Sequence, residues 1–292
     1  MRVLIVGCGY VGMAVARSLV RTGHDVHGVR RSPEGLQALA SENIQPLAGD
    51  VSDPASVATW PQNWDVVVNA ASSSGGGVNA YRRVYLDGTR NLVAHLEGDG
   101  LGRLVHVGST SVYGQADGSW VDEASPAQPG SDSARVLVET EHVLLAACRS
   151  SGFPAILLRV SGIYGPGRGH ALQQLLRGEA RLDGDGSRWL NMIHRDDVAA
   201  AVLAAATSGQ PGRVYNVTDD EPVRQRDFLQ WLADAHGLPM AGQGNDAERQ
   251  PPARTRTRAR TDKRVSNRRL REELGWNPIF PTFRHGYAAP KP

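Results

Sequence analysis

The chain has 292 residues and a net charge of +2, and 40% of its residues are hydrophobic. This length fits one large domain, or a large domain with a small lobe. The last fifty residues carry twelve Lys and Arg against five Asp and Glu, whereas the first 242 carry 20 against 25. A nucleic-acid-binding protein usually spreads its basic surface through the fold, so this distribution argues against that class.

Cysteine content and apolar runs indicate the compartment. Cys8 and Cys148 are too few for a disulfide framework and offer no metal-ligand spacing. The apolar start is too short for a secretion signal, and no apolar run is long enough to span a bilayer. We therefore expect a cytoplasmic protein that binds neither nucleic acid, membrane nor metal.

The first twelve residues predict a strand, a glycine-rich turn and the start of a helix. Four apolar residues, 3–6, precede glycines spaced as G-x-G-x-x-G. The first glycine permits the tight turn, the second lets a pyrophosphate approach the backbone, and the third lets the helix pack on the sheet. The free N–H groups of the helix start would bind the pyrophosphate. A purely structural turn is the alternative; otherwise the coenzyme contacts are Gly7, Gly9, Tyr10, Val11 and Gly12.

The end of the second predicted strand, Asp25–Val29, bears on the choice of coenzyme. Arg30 and Arg31 follow it, and no acidic residue lies between Asp25 and Glu34. A carboxylate here would bind the ribose hydroxyls of NAD, whereas arginines pair with the 2′-phosphate of NADP. The sequence therefore favours NADP over NAD, unless both arginines are merely solvated.

Strands alternate with helices up to about residue 160, which predicts a doubly wound parallel sheet. The loop Ser72–Gly77 falls at the carboxyl end of a strand, where such sheets bind ligands. The further predicted elements are helix Glu34–Glu42, strands Ile44–Leu47 and Asp65–Ala71, helix Val78–Leu96, strand Arg103–Val107, helix Ser133–Ser150 and strand Ala155–Arg159.

Beyond Gly162 the alternation weakens, and we predict a smaller lobe. Residues 1–160 would form the dinucleotide-binding domain, with the helix and strand of 195–217 added to it, and 161–292 mainly the substrate lobe. The predicted elements are helices Ala171–Arg177 and Asp196–Ala206, strand Val214–Val217, helix Arg224–Ala235, a mobile loop Gln243–Thr261 and a helix Ser266–Leu274.

Five stretches beyond the glycine turn give the chain a family resemblance. They are Gly49–Asp53, Gly108–Gly114, Leu158–Gly167, Asn191–Ala199 and Ser266–Trp276. In this order they resemble the extended branch of the short-chain dehydrogenase/reductase superfamily, the NAD(P)-dependent epimerase/dehydratase group. The resemblance implies a Rossmann-type sheet with a smaller C-terminal substrate lobe, and a homodimer through the helices flanking the central strands.

The resemblance also implies site residues. Ser109 stands where the family keeps a Ser or Thr that hydrogen-bonds the reacting carbonyl or hydroxyl. Further coenzyme contacts would be Asp50, Val51, Ala70, Ala71, Val160 and Ser161. Residues expected at the substrate are Ser72, Tyr85, Tyr164, Arg168, Asn191 and His194, although His194 could equally be structural.

One departure from the family puts its usual chemistry in doubt. The general acid/base of the family is a Tyr with a Lys four residues later, whose charge lowers the tyrosine pKa. Here Ser133 and Leu137 occupy those positions, and the chain has no lysines except Lys263 and Lys291. Tyr113 and Tyr85 are candidate substitute acids, with simple packing as the alternative for both.

Two functions follow. The first is an NADP-dependent oxidoreductase or epimerase/dehydratase with an atypical site, acting on a nucleotide-sugar or a small carbonyl or hydroxyl compound through catalytic Ser109 and Tyr113. The second is a catalytically impaired NADP-binding sensor or partner-binding protein. The basic run of residues 254–264 is either a solvated loop or a flap over phosphate groups.

Overall fold

The computed structural model describes residues 1–73, 75–98, 100–240 and 261–288, and its main feature is a parallel sheet of seven strands. In chain order the strands are β1 (Arg2–Val6), β2 (Asp25–Arg30), β3 (Gln45–Ala48), β4 (Val66–Asn69), β5 (Arg103–Ser109), β6 (Ala116–Val121), β7 (Ala155–Val160), β8 (Gly162–Tyr164), β9 (Trp189–Leu190), β10 (Met192–His194), β11 (Val214–Val217), β12 (Val223–Arg224) and β13 (Asp262–Val265).

The helices cover both faces of this sheet and build the smaller lobe. They are α1 (Tyr10–Arg21), α2 (Pro33–Ala40), α3 (Pro54–Ala58), α4 (Gly77–Tyr81), α5 (Gly88–Leu96), α6 (Asp132–Ser151), α7 (His170–Leu176), α8 (Arg195–Ser208), α9 (Gln225–His236), α10 (Arg268–Leu274) and α11 (Phe283–Ala288).

The strand order of the large sheet is β11-β7-β5-β4-β1-β2-β3, with every pairing parallel. The order reverses between β1 and β4, and ligands of open α/β sheets bind at such a switch point, beyond the carboxyl ends of the strands. The sequence prediction of a doubly wound parallel sheet is confirmed.

Two apolar clusters hold the helices against the sheet. Odd-numbered residues of β1, Val3 and Ile5, pack with α1 and α8, and even-numbered Leu4 and Val6 pack on the opposite face. The period-two alternation of a strand thus divides one continuous apolar run between two buried faces.

The smaller lobe has its own apolar cluster, drawn from α7, α9, α11 and the short strands. Phe228 and Phe283 meet edge to face at 5.0 Å in this cluster. β8 pairs with β10, β9 with β12, and β13 with β6. Within the described part of the chain, no helix is long and apolar enough to cross a membrane.

Several predicted elements need correction. The predicted helix Val78–Leu96 contains a π-helical segment, Arg82–Asp87, between α4 and α5. The last predicted helix begins at Arg268 rather than Ser266. The six strands outside the large sheet (β6, β8, β9, β10, β12 and β13) were not predicted, and neither was α11. The predicted mobile loop lies outside the described residues except for Thr261.

A buried ion pair joins α6 to the sheet. Arg159 on β7 donates from Nε and Nη2 to the two carboxylate oxygens of Glu141, at 2.9 and 2.7 Å. Both side chains are less than one tenth exposed. Two residues earlier on α6, Glu139 accepts two hydrogen bonds from Arg82 in the same bidentate geometry. Both of those side chains, however, are more than 40% exposed. Helix α6 therefore carries two Arg–Glu pairs that differ chiefly in burial.

We expect Glu141→Gln to lower the free energy of unfolding by about 3 kcal/mol, because it leaves the Arg159 guanidinium buried beside an uncharged partner. Glu139→Gln, the matched control, should cost less than about 1 kcal/mol because solvent screens that pair. Urea denaturation of both variants measures the difference. Equal losses in the two variants would contradict this account of the buried pair.

Candidate active site

The glycine turn after β1 approaches the neighbouring strand end very closely. Gly7 has φ +79°, and a Cβ placed on it would lie 2.4 Å from the Cα of Ala71. A Cβ on Gly12 would lie 2.6 Å from the carbonyl oxygen of Gly7. Neither position accepts a side chain, so the turn, the start of α1 and the end of β4 form one compact unit.

The start of α1 is open to an anion. Gly9 is the N-cap and provides no side-chain hydrogen bond to the first turn. The first N–H groups of a helix have no partner within the helix, and they carry its positive dipole end. A Cβ on Gly9 would meet only ordinary contacts, the nearest being Arg30 Nη1 at 3.5 Å. The space beside this backbone is therefore free for a phosphate, as the predicted roles of Tyr10 and Val11 require.

The two arginines after β2 differ in their surroundings. Arg30 is half-buried, with its guanidinium between Gly9 and the start of α2: a Cβ on Gly35 would lie 2.7 Å from Arg30 Nε. Arg31 is exposed and lies 3.4 Å from a carboxylate oxygen of Asp50. Among the described residues Arg30 has no carboxylate partner, so its charge is available beside the phosphate turn.

Asp50 belongs to the same corner. Burial would raise the pKa of its carboxyl, but hydrogen bonds from the backbone and hydroxyl of Ser52, together with Arg31, lower it. Val51 is buried, and a Cβ placed on Gly88 at the start of α5 would lie 3.0 Å from a methyl carbon of Val51. Asp50 is therefore an ionised carboxylate, with the apolar side chain of Val51 next to it in the chain.

The end of β4 continues the cleft. The backbone N–H of Ala71 donates to the side chain of Asn69 at 3.3 Å, and Ala70 donates to the carbonyl of Val6. Ser72, the next residue, is exposed in the loop that follows. Ala70 and Ala71 thus line the side of the turn opposite α1.

Ser109 and Ser161 lie at the carboxyl ends of adjacent strands. Ser109 is directly opposite Val160 in the register of β5 and β7. Its Oγ accepts from the backbone N–H of Ser111 at 3.1 Å, which leaves the hydroxyl proton of Ser109 to be donated. Ser161 Oγ is buried and has no hydrogen-bond partner among the described residues. A buried hydroxyl without a partner costs about 1–3 kcal/mol, and a ligand amide would satisfy it.

The predicted acid/base role of Tyr113 is corrected by its contacts. The side chain is fully buried, and its hydroxyl donates to Asn216 Oδ1 at 2.9 Å and accepts from Arg159 Nη1 at 2.8 Å. Burial raises the pKa of Tyr113, although Arg159 opposes the shift. A phenol held this way exchanges no proton with a substrate. Tyr113 instead joins the turn after β5 to β7 and β11.

Two predicted substrate residues, Tyr164 and Asn191, also have structural contacts. Tyr164 is buried, stacks on Tyr287 with centroids 4.9 Å apart, and donates to the carbonyl of Thr282. Both ends of the Asn191 amide bind the backbone of β13, at Lys263 and Val265. The polar atoms of Tyr164 and Asn191 therefore bind backbone groups of the same chain.

His194 caps α8, in line with the structural alternative that the sequence left open for it. Its Nδ1 accepts from the N–H of Asp196 at 3.3 Å, and its ring packs 3.9 Å from that of Phe280. Burial lowers the pKa of His194, so the imidazole is neutral at pH 7. The neighbouring Asp197 is buried and accepts from the N–H groups of Ile279 and Phe280.

The other two residues predicted at the substrate, Arg168 and Tyr85, lie against aromatic rings. Arg168 is exposed and its guanidinium lies 5.2 Å from the ring of Tyr10, whose hydroxyl donates to the carbonyl of Pro166. Tyr85 is half-buried in the π-helical segment, with its ring 4.9 Å from that of Tyr81.

The positions of the missing Tyr and Lys lie close to a residue that the sequence analysis assigned to a loop. Ser133 is half-buried near the start of α6, and Leu137 is buried against Val112, Tyr113 and Val265. Lys263, predicted in the solvated basic run, is only 5% exposed and donates from Nζ to the carbonyl of Tyr113 at 2.9 Å. Arg254, Arg256, Arg258 and Arg260 of that run lie outside the described residues.

These residues fit a nicotinamide dinucleotide: an open helix start, an arginine beside it, and an unsatisfied hydroxyl at the far strand ends. The model of the NAD dependent epimerase/dehydratase family matches residues 3–218. A 2-alkyl-3-oxoalkanoate reductase of Stenotrophomonas maltophilia is 29% identical, covering 82% of this chain and 77% of that protein. Protein YeeZ of Escherichia coli is 28% identical and covers 96% of both chains.

Solved structures share the fold. The dTDP-glucose 4,6-dehydratase DesIV of Streptomyces venezuelae, solved with NAD bound, has a TM-score of 0.82 at 23% identity, covering 99% of this chain and 95% of that chain. The match of the family model over most of the large sheet establishes the assignment. This chain belongs to the NAD-dependent epimerase/dehydratase family.

Proposed function

We propose that the protein is an NADP-dependent oxidoreductase that reduces a small carbonyl compound, with Ser109 polarising the carbonyl oxygen. The observation that carries this proposal is the position of the Ser109 hydroxyl. Ser109 lies opposite Val160 at the carboxyl end of β5, with its hydroxyl proton free to donate, and Ser161, the residue after Val160, has an unpartnered hydroxyl. We favour an enzyme over the sensor because Ser109, whose Oγ accepts from the N–H of Ser111, still has a hydroxyl proton to donate at the carboxyl end of β5.

Each of the predicted site residues has a distinct role in this proposal. Gly7, Gly9 and Gly12 keep the backbone open for the pyrophosphate, and Arg30 pairs with the 2′-phosphate. Ala70 and Ala71 line the nucleotide, while Val160 and Ser161 meet the nicotinamide and hold the amide side of its ring. When bound, the coenzyme supplies hydride to the substrate carbon, and the Ser109 hydroxyl stabilises the negative charge that develops on oxygen.

The substrate class is narrowed by the relatives. The name of the Stenotrophomonas relative is that of a reductase of 2-alkyl-3-oxoalkanoates, which supports a ketone as substrate here. A nucleotide-sugar is the second candidate, supported by the dehydratase DesIV. The homodimer and the cytoplasmic location stay predictions.

Ser109→Ala should lower the rate of hydride transfer by about 10²–10³-fold, because it removes one donor to the developing oxyanion. Oxidation of NADPH is followed by absorbance with a 3-oxoalkanoate, an aryl ketone and UDP-glucose as probes. Ser111→Ala is the matched control, since that exposed side chain lies two residues away and only its backbone contacts Ser109. Equal activity of both variants and wild type would contradict the role of Ser109.

Arg30→Met should weaken NADPH binding by about 10–100-fold, the worth of a charge-assisted hydrogen bond, and leave NADH binding unchanged. Arg31→Met should have a smaller effect, because Asp50 already partners that side chain. Calorimetric titration measures both, with Arg21→Met, an exposed arginine at the end of α1, as control. Tighter binding of NADH than NADPH by the wild type would overturn the NADP assignment.

A further inference from the structure

The turn that follows β8 lies directly against the first residue of α1. Pro166 and Gly167 form the middle of this turn, with φ +72° at Gly167, and Gly165 and Arg168 exchange two backbone hydrogen bonds, at 3.0 and 2.9 Å. A proline followed by a left-handed glycine is the pattern of a type II turn. The carbonyl of Pro166 accepts from the hydroxyl of Tyr10 at 3.1 Å. This hydrogen bond joins the turn after β8 to the phosphate turn after β1.

Two arginine side chains lie at equal distances from the ring of Tyr10. The guanidinium carbons of Arg168 and Arg195 are each 5.2 Å from the ring centroid. Burial raises the pKa of the Tyr10 hydroxyl, and the positive charges of both arginines act against that rise. The attraction between a guanidinium and a ring face favours one position for a side chain that otherwise lies in solvent. The ring of Tyr10 therefore places two positive charges at the start of α1.

The two arginines differ in their carboxylate partners. Arg195 donates from Nε to Asp196 at 2.8 Å, so its charge is paired. Arg168 is exposed and has no carboxylate partner among the described residues. Its guanidinium is therefore an unpaired positive charge beside the residue that begins α1.

The residue that holds Arg168 is also one of the proposed phosphate contacts. Tyr10 is the first residue of α1, and its backbone N–H belongs to the group that has no partner within the helix. The proposed pyrophosphate lies at these N–H groups. An arginine presents its N–H donors in a planar fork that binds two phosphate oxygens at once. A diphosphate at this helix start can thus be bound by backbone N–H groups on one side and by Arg168 on the other.

We propose that Arg168 is a ligand of the coenzyme pyrophosphate and that the ring of Tyr10 positions it at the start of α1. This inference rests on the proposed function, which takes the pyrophosphate to lie there. It reassigns Arg168, which the sequence predicted at the substrate, to the coenzyme. The phosphate oxygens supply the anionic partner that Arg168 lacks among the described residues.

Three ligands separate the pyrophosphate from the 2′-phosphate and from the substrate. NADPH, NADH and 2′-AMP are titrated by calorimetry with no substrate present, and only the two coenzymes contain a pyrophosphate. Arg168→Met should lower the affinity for NADPH and for NADH about tenfold each, the value of a charge-assisted hydrogen bond, and leave 2′-AMP binding within about twofold. Arg30→Met should show the complementary pattern: weaker NADPH and 2′-AMP binding, and unchanged NADH binding.

Arg195→Met is the matched control. Its guanidinium lies at the same distance from the same ring, but Asp196 already pairs with it. We expect the affinity of this variant for both coenzymes to stay within about threefold of wild type, because it removes a charge that is already paired. Unchanged melting temperatures of both variants exclude loss of fold as the cause of weaker binding.

Two further measurements distinguish a charge at the phosphates from a role in packing. Salt screens exposed charges, so NADPH affinity should fall less steeply between about 50 and 500 mM NaCl in Arg168→Met than in wild type. Tyr10→Leu keeps the backbone N–H and removes the ring. Adding Arg168→Met to Tyr10→Leu should then cost less than about threefold, because residues that act together are not additive.

Four results contradict the assignment of Arg168. They are unchanged binding of both coenzymes by Arg168→Met, an equal loss for 2′-AMP, equal losses in Arg168→Met and Arg195→Met, and full additivity with Tyr10→Leu. Unchanged coenzyme binding together with a raised KM for the carbonyl compound assigns Arg168 to the substrate instead.

Failure of the proposed function gives a different pattern. If wild type binds both coenzymes but reduces no carbonyl compound, the proposed reduction is wrong, and the three ligands still decide the role of Arg168. Tighter binding of NADH than of NADPH contradicts the role of Arg30 alone, since both coenzymes carry the pyrophosphate. A wild type that binds neither coenzyme contradicts the proposed function and the role of Arg168 together.

Discussion

The contact between Gly7 and Ala71 is the constraint on which the site depends. The left-handed backbone of Gly7 brings the turn after β1 against the backbone of the residues after β4, at the point where the strand order reverses. Any side chain at Gly7 would separate the two strand ends. The same turn directs the uncapped start of α1 into the crevice between them. The close approach of Gly7 to Ala71 therefore determines both how the two strand ends meet and where the proposed phosphate site lies.

A buried polar network holds the far end of the cleft. Arg159 binds Glu141 and the hydroxyl of Tyr113, and that hydroxyl donates to Asn216. Asn216 in turn donates to the carbonyl of Ser266 just before α10. The network connects α6, β7, β11 and the segment just before α10. Because each member is satisfied by another, the network stabilises the fold and leaves none of these groups for chemistry.

Much of the fold could be predicted from the sequence because its signals are local. The apolar run of β1, the glycine spacing and the alternation of strands with helices each act within about 30 residues, and the strand Val214–Val217 was located without error. The strands outside the large sheet were not predicted because most are only two to four residues long, and each depends on pairing with a segment 30 or more residues away. β13 pairs with β6, about 145 residues earlier in the chain.

The substrate side was harder to predict for the same reason. Tyr164, Asn191 and His194 lie in motifs shared with the family, and the sequence did not show that their polar atoms are used by the backbone of Thr282, β13 and α8. Lys263 was assigned to a basic solvated run because its neighbours are arginines. In the structure Lys263 is buried and its Nζ donates to the carbonyl of Tyr113, a long-range contact that the local sequence does not indicate.

The central claim is that the open helix start after Gly9 binds the pyrophosphate of a nicotinamide coenzyme. Calorimetric titration of wild type and Gly9→Ala with NADPH tests it most directly, because a Cβ at this position meets only ordinary contacts within the protein. The account predicts one coenzyme per chain for wild type and a loss of at least about tenfold in affinity, about 1.4 kcal/mol, for Gly9→Ala with an unchanged melting temperature. No binding by the wild type, or equal binding by both proteins, would contradict it.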